Sequence, residues 1–246
     1  MKTICMMIIA FFITGFLLEG ICFADDNNPP LPTPIGRVVW VKGTLTAIMP
    51  NKEERKLQRL SLIFLHDTLI TDGQSYAQVV FTDNTLMTFR PDTKFFIKEY
   101  SYNPRAKKSG IGKSIMSLIE GGFRTITGLI AKNSPQDYQV NTPVATIGVR
   151  GTDYTVALLK NGEMYVGYYA GQPCVKSKEQ GGGEVCLDTK TPYAEINSSG
   201  TITGLAQQPE VLKEKLEITP TTLSPFNNGA NLMRNGGTVS SFCITQ

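Results

Sequence analysis

Residues 60–102 read LSLIFLHDTLITDGQSYAQVVFTDNTLMTFRPDTKFFIKEYSY. The apolar clusters of this stretch are separated by Asp72-Gly73, Asp83-Asn84 and Pro91-Asp92, which recur at short and regular intervals. Asp, Asn, Gly and Pro tolerate or preset the dihedral angles of turns. Short strands at such spacing predict an all-β fold, a sandwich, barrel or solenoid-like roll, rather than alternating strands and helices.

The same pattern continues on both sides of this stretch. Asn161-Gly162 between two apolar runs is a strong hairpin signal. Residues 51–59 are charged and predict a solvated loop or a short helix. Further strands are predicted at Val38–Val41, Leu45–Met49, Tyr138–Thr142, Thr152–Leu159, Met164–Tyr169, Val185–Leu187 and Tyr193–Ile196. Together these strands predict one all-β domain over residues 36–205, a solenoid-like or sandwich-like roll.

The apolar pattern stops after Gly204. Pro209 suits the first position of a helix, so one short helix is predicted over Pro209–Glu217. Residues 218–246 are rich in Thr, Ser, Asn, Gly and Pro and carry few apolar anchors. We therefore expect residues 206–246 to form a short helix and a mobile C-terminal tail.

The first residues have the features of an export signal. Lys2 precedes an almost wholly apolar run over Ile4–Leu18, and Ala24 provides a small residue before a cut at Asp25. The alternative, an uncleaved membrane anchor, fits less well because a spanning helix needs about 20 apolar residues. Residues 1–24 are therefore predicted to be a signal peptide. Residues 25–35 carry four prolines and predict an extended linker.

Composition narrows the classes of partner. The chain has 246 residues, of which 41% are hydrophobic and 18% are charged. This composition is sufficient to form a globular core. The formal net charge of +3 is small and dispersed, so no nucleic-acid partner is expected. No long apolar run follows the signal, so no membrane span is expected in the mature chain. We expect the protein to be periplasmic, or secreted and associated with the cell surface.

Removal of the signal leaves the cysteines Cys174, Cys186 and Cys243. Cys174 and Cys186 flank the loop Gly181-Gly182-Gly183, and an oxidising compartment favours their pairing as a disulfide. A metal site is the alternative, but no histidine or second cysteine pair lies near them in the sequence. The sequence therefore predicts a Cys174–Cys186 disulfide and leaves Cys243 unpaired.

The sequence offers no set of catalytic residues. His66 is the single histidine, and no nucleophile elbow surrounds any serine. Gly112-Lys113-Ser114 resembles the end of a phosphate loop, but Lys107 stands where that motif needs glycine. We therefore expect no catalytic, metal-binding or cofactor-binding residues and no enzymatic activity.

Residues 142–154 read TPVATIGVRGTDY and, with Glu120-Gly121-Gly122-Phe123-Arg124 upstream, closely resemble the FecR-domain family. The resemblance covers roughly Gly36 to Gly171. It implies an all-β module on the outer side of a bacterial inner membrane. In the regulator branch of the family, this module follows a membrane helix and a cytoplasmic anti-sigma segment. The present sequence instead begins with a signal peptide, and no anti-sigma segment is expected.

The signature residues have two possible roles. Thr142, Pro143, Gly148, Arg150, Gly151, Thr152 and Asp153 form either a structural clamp or a contact with a partner. The clamp hypothesis predicts that Arg150 is mostly buried and held by a carboxylate, with Asp153 the nearest candidate. The alternative is that Arg150 binds a ligand or a partner.

These observations predict a non-catalytic, exported FecR-domain protein of the bacterial cell envelope. The favoured function is an interaction module that binds an envelope protein or a glycan, whose identity the sequence does not give. The alternative is a sensor component that couples an envelope signal to a membrane or anti-sigma partner.

Overall fold

The computed structural model describes residues 32–106, 110–214 and 216–219. The predicted signal peptide, most of the predicted linker, Cys243 and the tail from residue 220 lie outside these described residues. The strands are β1 (Gly36–Lys42), β2 (Leu45–Ile48), β3 (Glu54–Leu57), β4 (Leu62–Ile63), β5 (Thr68–Thr71), β6 (Tyr76–Phe81), β7 (Leu86–Phe89), β8 (Lys94–Tyr102), β9 (Gly112–Ile126), β10 (Tyr138–Asn141), β11 (Ala145–Val149), β12 (Asp153–Leu158), β13 (Met164–Ala170), β14 (Pro173–Ser177), β15 (Glu184–Cys186), β16 (Tyr193–Ile196) and β17 (Ile202–Leu205). The helical elements are α1 (Leu129–Asn133) and two 3-10 turns, Pro135–Asp137 and Glu210–Leu212. The all-β prediction is confirmed.

Hydrogen bonding arranges the strands in two layers that share β9. Layer 1 has the order β4-β1-β6-β7-β9-β12-β13-β16-β17. Layer 2 has the order β3-β2-β5-β8-β9-β10-β11-β14-β15. The chain passes repeatedly from one layer to the other, and β9–β10 is the one parallel pair among these pairings. The arrangement is a sandwich-like roll of short strands.

The long strand β9 connects the two layers. Its first part, as far as Glu120, pairs with β8 and β10, and its last part, from Gly121, pairs with β7 and β12. Gly121 has a φ of +82°, and a Cβ there would lie 2.5 Å from the carbonyl oxygen of Asp92 and the Cα of Thr93. Only glycine combines this dihedral angle with so close an approach of another backbone. Gly121 therefore allows one strand to serve both layers.

The core lies between the layers. Phe95 of β8 packs against Phe89 of β7 and Phe123 of β9, with ring centroids 5.2 and 5.5 Å apart. Phe123 in turn meets Tyr154 of β12 edge to face at 5.8 Å. All four rings are fully buried. Burying a side chain of this size contributes about 1.5–3 kcal/mol, so this aromatic column helps to join the two layers.

The prediction for residues 51–59 was wrong in part. Glu54–Leu57 forms β3, an edge strand of layer 2 that pairs with β2, rather than a helix. Leu57 is buried, while Glu54 and Lys56 are exposed. Charged side chains are typical of edge strands because they discourage pairing with other chains. The charged residues that suggested a loop or a helix, such as Glu54 and Lys56, lie on the exposed face of β3.

The prediction for residues 209–217 was also wrong in part. Among the described residues of this segment, only Glu210–Leu212 is helical, as a single 3-10 turn, and residues 213, 214 and 216–219 have no regular secondary structure. Carbonyl groups of this segment accept hydrogen bonds from side chains of layer 1 instead of from a helix. Tertiary contacts have overridden a weak local preference. Ile218 and Thr219, predicted to begin a mobile tail, belong to this docked segment.

Candidate functional site

The first part of the signature forms a tight turn between β10 and β11. The Thr142 hydroxyl accepts a hydrogen bond from the N–H of Ala145 at 3.0 Å and donates to its carbonyl at 2.9 Å. Pro143 is exposed within this turn. Gly148 lies in β11, opposite Gln139 of β10 and Cys174 of β14. These contacts give this part of the signature a structural role.

The second part joins β12 to the end of β9. The N–H of Thr152 donates to the Thr127 hydroxyl at 2.7 Å, and the N–H of Thr127 donates to the Thr152 carbonyl at 2.9 Å. Gly151 has a φ of +60°. Glycine adopts this conformation without strain, so the chain can reverse just before this contact. The motif Gly-Thr therefore fixes the turn against the segment that leads into α1.

The clamp prediction for Arg150 was wrong. Arg150 is exposed, and Asp153 pairs with Arg124 instead. The Arg124 Nε and Nη2 atoms donate to the two Asp153 carboxylate oxygens at 3.0 and 2.8 Å. The turn at Gly151 directs Arg150 away from the strands, whereas Asp153 begins β12 beside β9, which carries Arg124. The clamp exists, but another arginine forms it.

The disulfide prediction is confirmed. Cys174 of β14 and Cys186 of β15 are directly opposite each other in the hairpin and form a disulfide. Glu184 lies near both sulfur atoms, a combination that resembles a set of metal ligands. Because the sulfurs are bonded to each other, they offer no thiolate to a metal ion.

A buried carboxyl holds the start of α1. Asp83 is fully buried and accepts hydrogen bonds from the N–H and hydroxyl of Thr85, the hydroxyl of Tyr100 and the N–H of Ile130. Burial raises the pKa of Asp83, and the hydrogen bonds oppose this shift only in part. Burial also raises the pKa of Tyr100, and the neighbouring Asp83 adds to that effect. The network is internal, so we assign it to the fold.

Exposed apolar residues cluster in one loop. The exposed fractions of Leu60, Leu62 and Leu65 are 57%, 42% and 36%, and these are three of the six large apolar side chains exposed in the described ranges. Single exposed apolar residues are normal on a protein surface, whereas contiguous exposed apolar patches are a feature of binding surfaces. We call residues 58–67, which include the two-residue strand β4, the leucine loop.

The leucine loop is anchored by an ion pair between half-buried Arg55 and buried Asp67. An Asp67 carboxylate oxygen accepts hydrogen bonds from Arg55 Nη2 at 2.7 Å and from the N–H of Phe64 at 2.9 Å. The Arg55 guanidinium also lies 5.1 Å from the centroid of the Phe64 ring. Asp67 is buried, and burial raises its pKa against the opposing effects of Phe64 and Arg55. The leucines are thus presented by an ordered loop.

Backbone strain accompanies this order. Leu60 and His66 have φ values of +73° and +68°. These values lie in the left-handed region, which such residues seldom adopt. The N–H of Leu60 donates to the Val38 carbonyl at 2.9 Å, and that of His66 donates to the Ile97 carbonyl at 3.1 Å. Each strained residue costs about 1–3 kcal/mol, and such strain concentrates at functional sites.

A protein-family model described as "FecR protein" matches residues 67–172. Residues 67–172 of this chain form a FecR domain. The matched region of the FecR domain begins at Asp67, the carboxylate that holds the leucine loop, and ends just before the disulfide hairpin. The FecR domain supports a role related to signal transduction, and the FecR family is not one of enzymes. FecR domains of membrane-linked proteins typically lie on the periplasmic side.

Solved structures provide a second comparison for the FecR domain. Two crystal structures of a candidate anti-sigma factor from Parabacteroides distasonis ATCC 8503, at 2.50 and 1.65 Å resolution, align with it at 17% sequence identity. Their TM-scores are 0.43 and 0.42, and each alignment covers 55% of this chain. The chain spans only 57% of the length of either solved chain. No curated protein sequence matches it.

Sequence reasoning did not identify the leucine loop as a site. The apolar clusters of residues 60–102 predicted strands, and a strand of this composition is normally buried. The signal that was available is a run of leucines that also carries His66 and follows a charged segment.

Among the residues that the structure describes, no helix has both the length and the hydropathy needed to span a bilayer.

Proposed function

We propose that this chain is a non-catalytic, exported FecR-domain protein that acts as an interaction module in the bacterial cell envelope, and that it binds a protein through the leucine loop. The observation that carries the proposal is the exposure of Leu60, Leu62 and Leu65 on a strained and internally anchored loop. Their apolar surface favours a protein partner over a glycan, because sugars present mainly hydroxyl groups that leucine does not pair.

Three features support the location. The apolar segment within residues 1–24 has the pattern of an export signal. The Cys174–Cys186 disulfide is typical of a protein that works in an oxidising compartment. The match to the FecR family fits the outer side of the inner membrane.

Order in the leucine loop also favours binding, since an ordered surface loses less conformational entropy when a partner associates.

Site-specific crosslinking in intact envelopes tests the proposal. A photoreactive amino acid replaces Leu62 in the full chain, and a matched variant carries it at Thr203, an exposed position in β17. We expect a discrete protein adduct from position 62 and none of that size from position 203. Replacement of Leu60 and Leu65 by serine in the position-62 variant should abolish the adduct.

The opposite result is as clear. If position 62 gives no protein adduct, or the adduct survives the loss of both neighbouring leucines, the leucine loop is not the binding surface. A folded protein that is retained on envelope glycan with the three leucines replaced would favour the glycan partner instead. The melting temperature of each variant shows whether the fold is intact.

A sensor component is the second candidate, and the FecR domain over residues 67–172 favours it. In that role the protein passes an envelope signal to a membrane or anti-sigma partner through the same surface. The identity of the adduct from position 62 separates the two functions. A membrane protein with a cytoplasmic anti-sigma segment indicates the sensor, and a secretion or surface-assembly component indicates the interaction module.

A further inference from the structure

The outer face of layer 1 is covered by a segment near the C-terminal end of the described chain. We call residues 208–214 and 216–219 the strap. Leu212 and Leu216 of the strap are 1% and 3% exposed, so both side chains are buried against the domain. Leu212 lies beside Gly167 of β13, where an added Cβ would meet its Cδ1 atom at 3.2 Å. The absence of a side chain at Gly167 leaves a hollow that Leu212 fills.

Two polar side chains of layer 1 bind the end of the strap through its main chain. The Gln78 amide nitrogen donates to the carbonyl of Thr219 at 3.1 Å, and the N–H of Thr219 donates to the Gln78 amide oxygen at 3.2 Å. Thr88 donates its hydroxyl proton to the carbonyl of Glu217 at 3.2 Å. Gln78 thus pairs with the strap as a neighbouring strand would, using one donor and one acceptor.

Two arginines bind the rest of the strap. Arg90 Nη2 donates to the carbonyl of Val211 at 2.8 Å and to the Glu214 carboxylate at 2.9 Å. Arg124 Nη1 donates to the carbonyl of Leu216 at 3.0 Å while its other nitrogens hold Asp153. The ion pair therefore positions the guanidinium that binds the strap.

These contacts recognise the shape of an extended chain more than its sequence. Gln78, Thr88, Arg90 and Arg124 all bind main-chain atoms of the strap. The contacts that depend on the sequence of the strap are those of the buried Leu212 and Leu216 side chains and of the Glu214 carboxylate between them. A segment that served only as a cover would be expected to lie on an apolar face, because buried polar groups stabilise little and are costly when unpaired. Instead, this face carries a row of polar side chains that an extended backbone satisfies.

Both ends of the covered face remain open. A cleft of about 410 Å³ adjoins the first part of the strap, with Arg90, Leu159, Val211 and Glu214 in its lining. At the other side, Ile126 and Tyr169 are 36% and 40% exposed. Tyr169 stacks under the Arg124 guanidinium, 4.4 Å from the ring centroid. An incoming segment can therefore make contacts at either end before the strap has left.

We propose that the outer face of layer 1 is a peptide-binding groove, that the strap occupies it as an internal ligand, and that an extended segment of a partner protein with the pattern Leu-x-Glu-x-Leu binds there by displacing the strap. The proposal rests on the proposed function as an interaction module, and it names the chemistry of a second contact. Its site is separate from the leucine loop.

The test uses the full chain and a labelled synthetic peptide with the sequence of residues 208–219. In one variant, Leu212→Asp and Leu216→Asp release the strap. A peptide with the same two changes is the control probe. We expect the variant to bind the unaltered peptide at least tenfold more tightly than the wild type does, and to bind the control probe no better than the wild type does. Adding Thr88→Val and Gln78→Leu should remove the gain.

Hydrogen exchange supplies a measurement that does not depend on this variant being folded. In the wild type, excess unaltered peptide should accelerate exchange in residues 208–219 and leave β9 unchanged. If the folded variant binds the peptide no better than the wild type, or if the wild-type strap exchanges as slowly as β9 with and without peptide, the groove does not exchange its occupant and the proposal fails.

Two further results have definite meanings. Strap exchange between copies, seen as a concentration-dependent wild-type dimer, would make a second copy the occupant and overturn the separate partner. A variant with serine at Leu60, Leu62 and Leu65 should bind the peptide as its parent does if the groove exists. Failure of the peptide to bind would leave crosslinking through position 62 unaffected, so the two proposals fail separately.

Discussion

Arg124 of β9 and Asp153 of β12 form a bidentate ion pair on the outer face of layer 1, with nitrogen–oxygen distances of 3.0 and 2.8 Å. The side chains are 15% and 18% exposed. The hydrogen bonds to Asp153 raise the pKa of Arg124, so the guanidinium remains charged at all ordinary pH values. The planar fork of arginine fits a carboxylate in a way that lysine does not. This pair connects the FecR signature to the strap.

Arg124→Ala should lower the free energy of unfolding by about 2–3 kcal/mol. Removing one partner of a fully buried pair typically costs about 3–5 kcal/mol, and partial exposure of this pair reduces the loss. The substitution also leaves the Leu216 carbonyl without its donor and removes the cation from the Tyr169 ring. Equilibrium unfolding in urea measures the change.

Arg150→Ala is the matched control, since Arg150 is the arginine of the signature itself. Arg150 is exposed. Its loss should therefore change the free energy of unfolding by no more than about 0.5 kcal/mol, as is usual for a surface substitution. A large loss at Arg150 together with a small loss at Arg124 would contradict the assignment of the clamp to Arg124.

The Arg124–Asp153 pair shows which features of this protein can be predicted from the spacing of residues in the sequence and which cannot. Thr142–Tyr154 indicated the FecR domain. The turn dipeptides located most strands, because turns are encoded by local dihedral preferences. The disulfide followed from two cysteines on either side of a glycine loop. The partner of Asp153 was different, because Arg124 lies 29 residues away in the chain and becomes adjacent only when β9 pairs with β12. The nearer arginine in the sequence was the wrong choice.

The docking of the strap could not be predicted from the sequence for a related reason. Its helix-compatible sequence, from Pro209 to Glu217, gives no sign that its carbonyls bind side chains of three different strands. Those donors, such as Arg90 and Thr88, look in the sequence like ordinary polar residues of exposed strand faces. Their burial depends on a segment more than 100 residues further along the chain. A linear pattern does not encode that pairing.

Stability should depend on pH through Asp83. Burial raises the folded-state pKa of Asp83. The unfolded-state pKa of an aspartate is about 3.9. Between the two values the folded state holds a proton that the unfolded state has lost. The stabilising contribution of this carboxyl is therefore complete below the unfolded pKa and is lost as the pH rises through the folded pKa.

Comparison with Asp83→Asn isolates that effect. Asparagine presents an amide hydrogen to donors such as the Ile130 N–H, so the variant should be less stable at every pH. The difference in unfolding free energy, wild type minus variant, should be largest below about pH 4 and decrease as the pH rises. Urea unfolding at a series of pH values measures it. A difference that stays constant or increases with pH would show that the pKa of Asp83 is not raised.

Asp67→Ala should loosen the leucine loop. The substitution removes the acceptor for the Phe64 N–H and leaves Arg55 without its carboxylate. We expect hydrogen exchange in residues 60–66 to accelerate at least tenfold, and the crosslink from position 62 to weaken. Glu99→Ala, which breaks the exposed pair with Lys113, is the control and should alter neither. Unchanged exchange in the loop would show that Asp67 does not order it.

Replacing Cys174 and Cys186 by serine should lower the free energy of unfolding by about 2–3 kcal/mol. The two cysteines are separated by 12 positions, and closing a loop of this size restricts the unfolded chain by about that amount. Non-reducing peptide mapping of the wild type should recover the linked pair with Cys243 unlinked. A Cys243 link to either residue, or a double variant as stable as the wild type, would contradict this.

Gly121→Ala should be the most damaging of these changes, because it affects the residue through which β9 passes from one layer to the other. The new Cβ would lie 2.5 Å from both the Asp92 carbonyl oxygen and the Thr93 Cα, and both are backbone atoms that cannot rotate away. Gly181→Ala is a close control, since its φ of +83° nearly equals the +82° of Gly121 and nothing lies within 4 Å of the added atom. The control should lose about 1 kcal/mol from the left-handed conformation alone. Gly121→Ala should lose at least about 3 kcal/mol more, as expected for a clash in a packed region. Thermal and urea unfolding of both variants measure the two losses, and equal losses would show that the approach of the Asp92–Thr93 backbone does not require glycine at position 121.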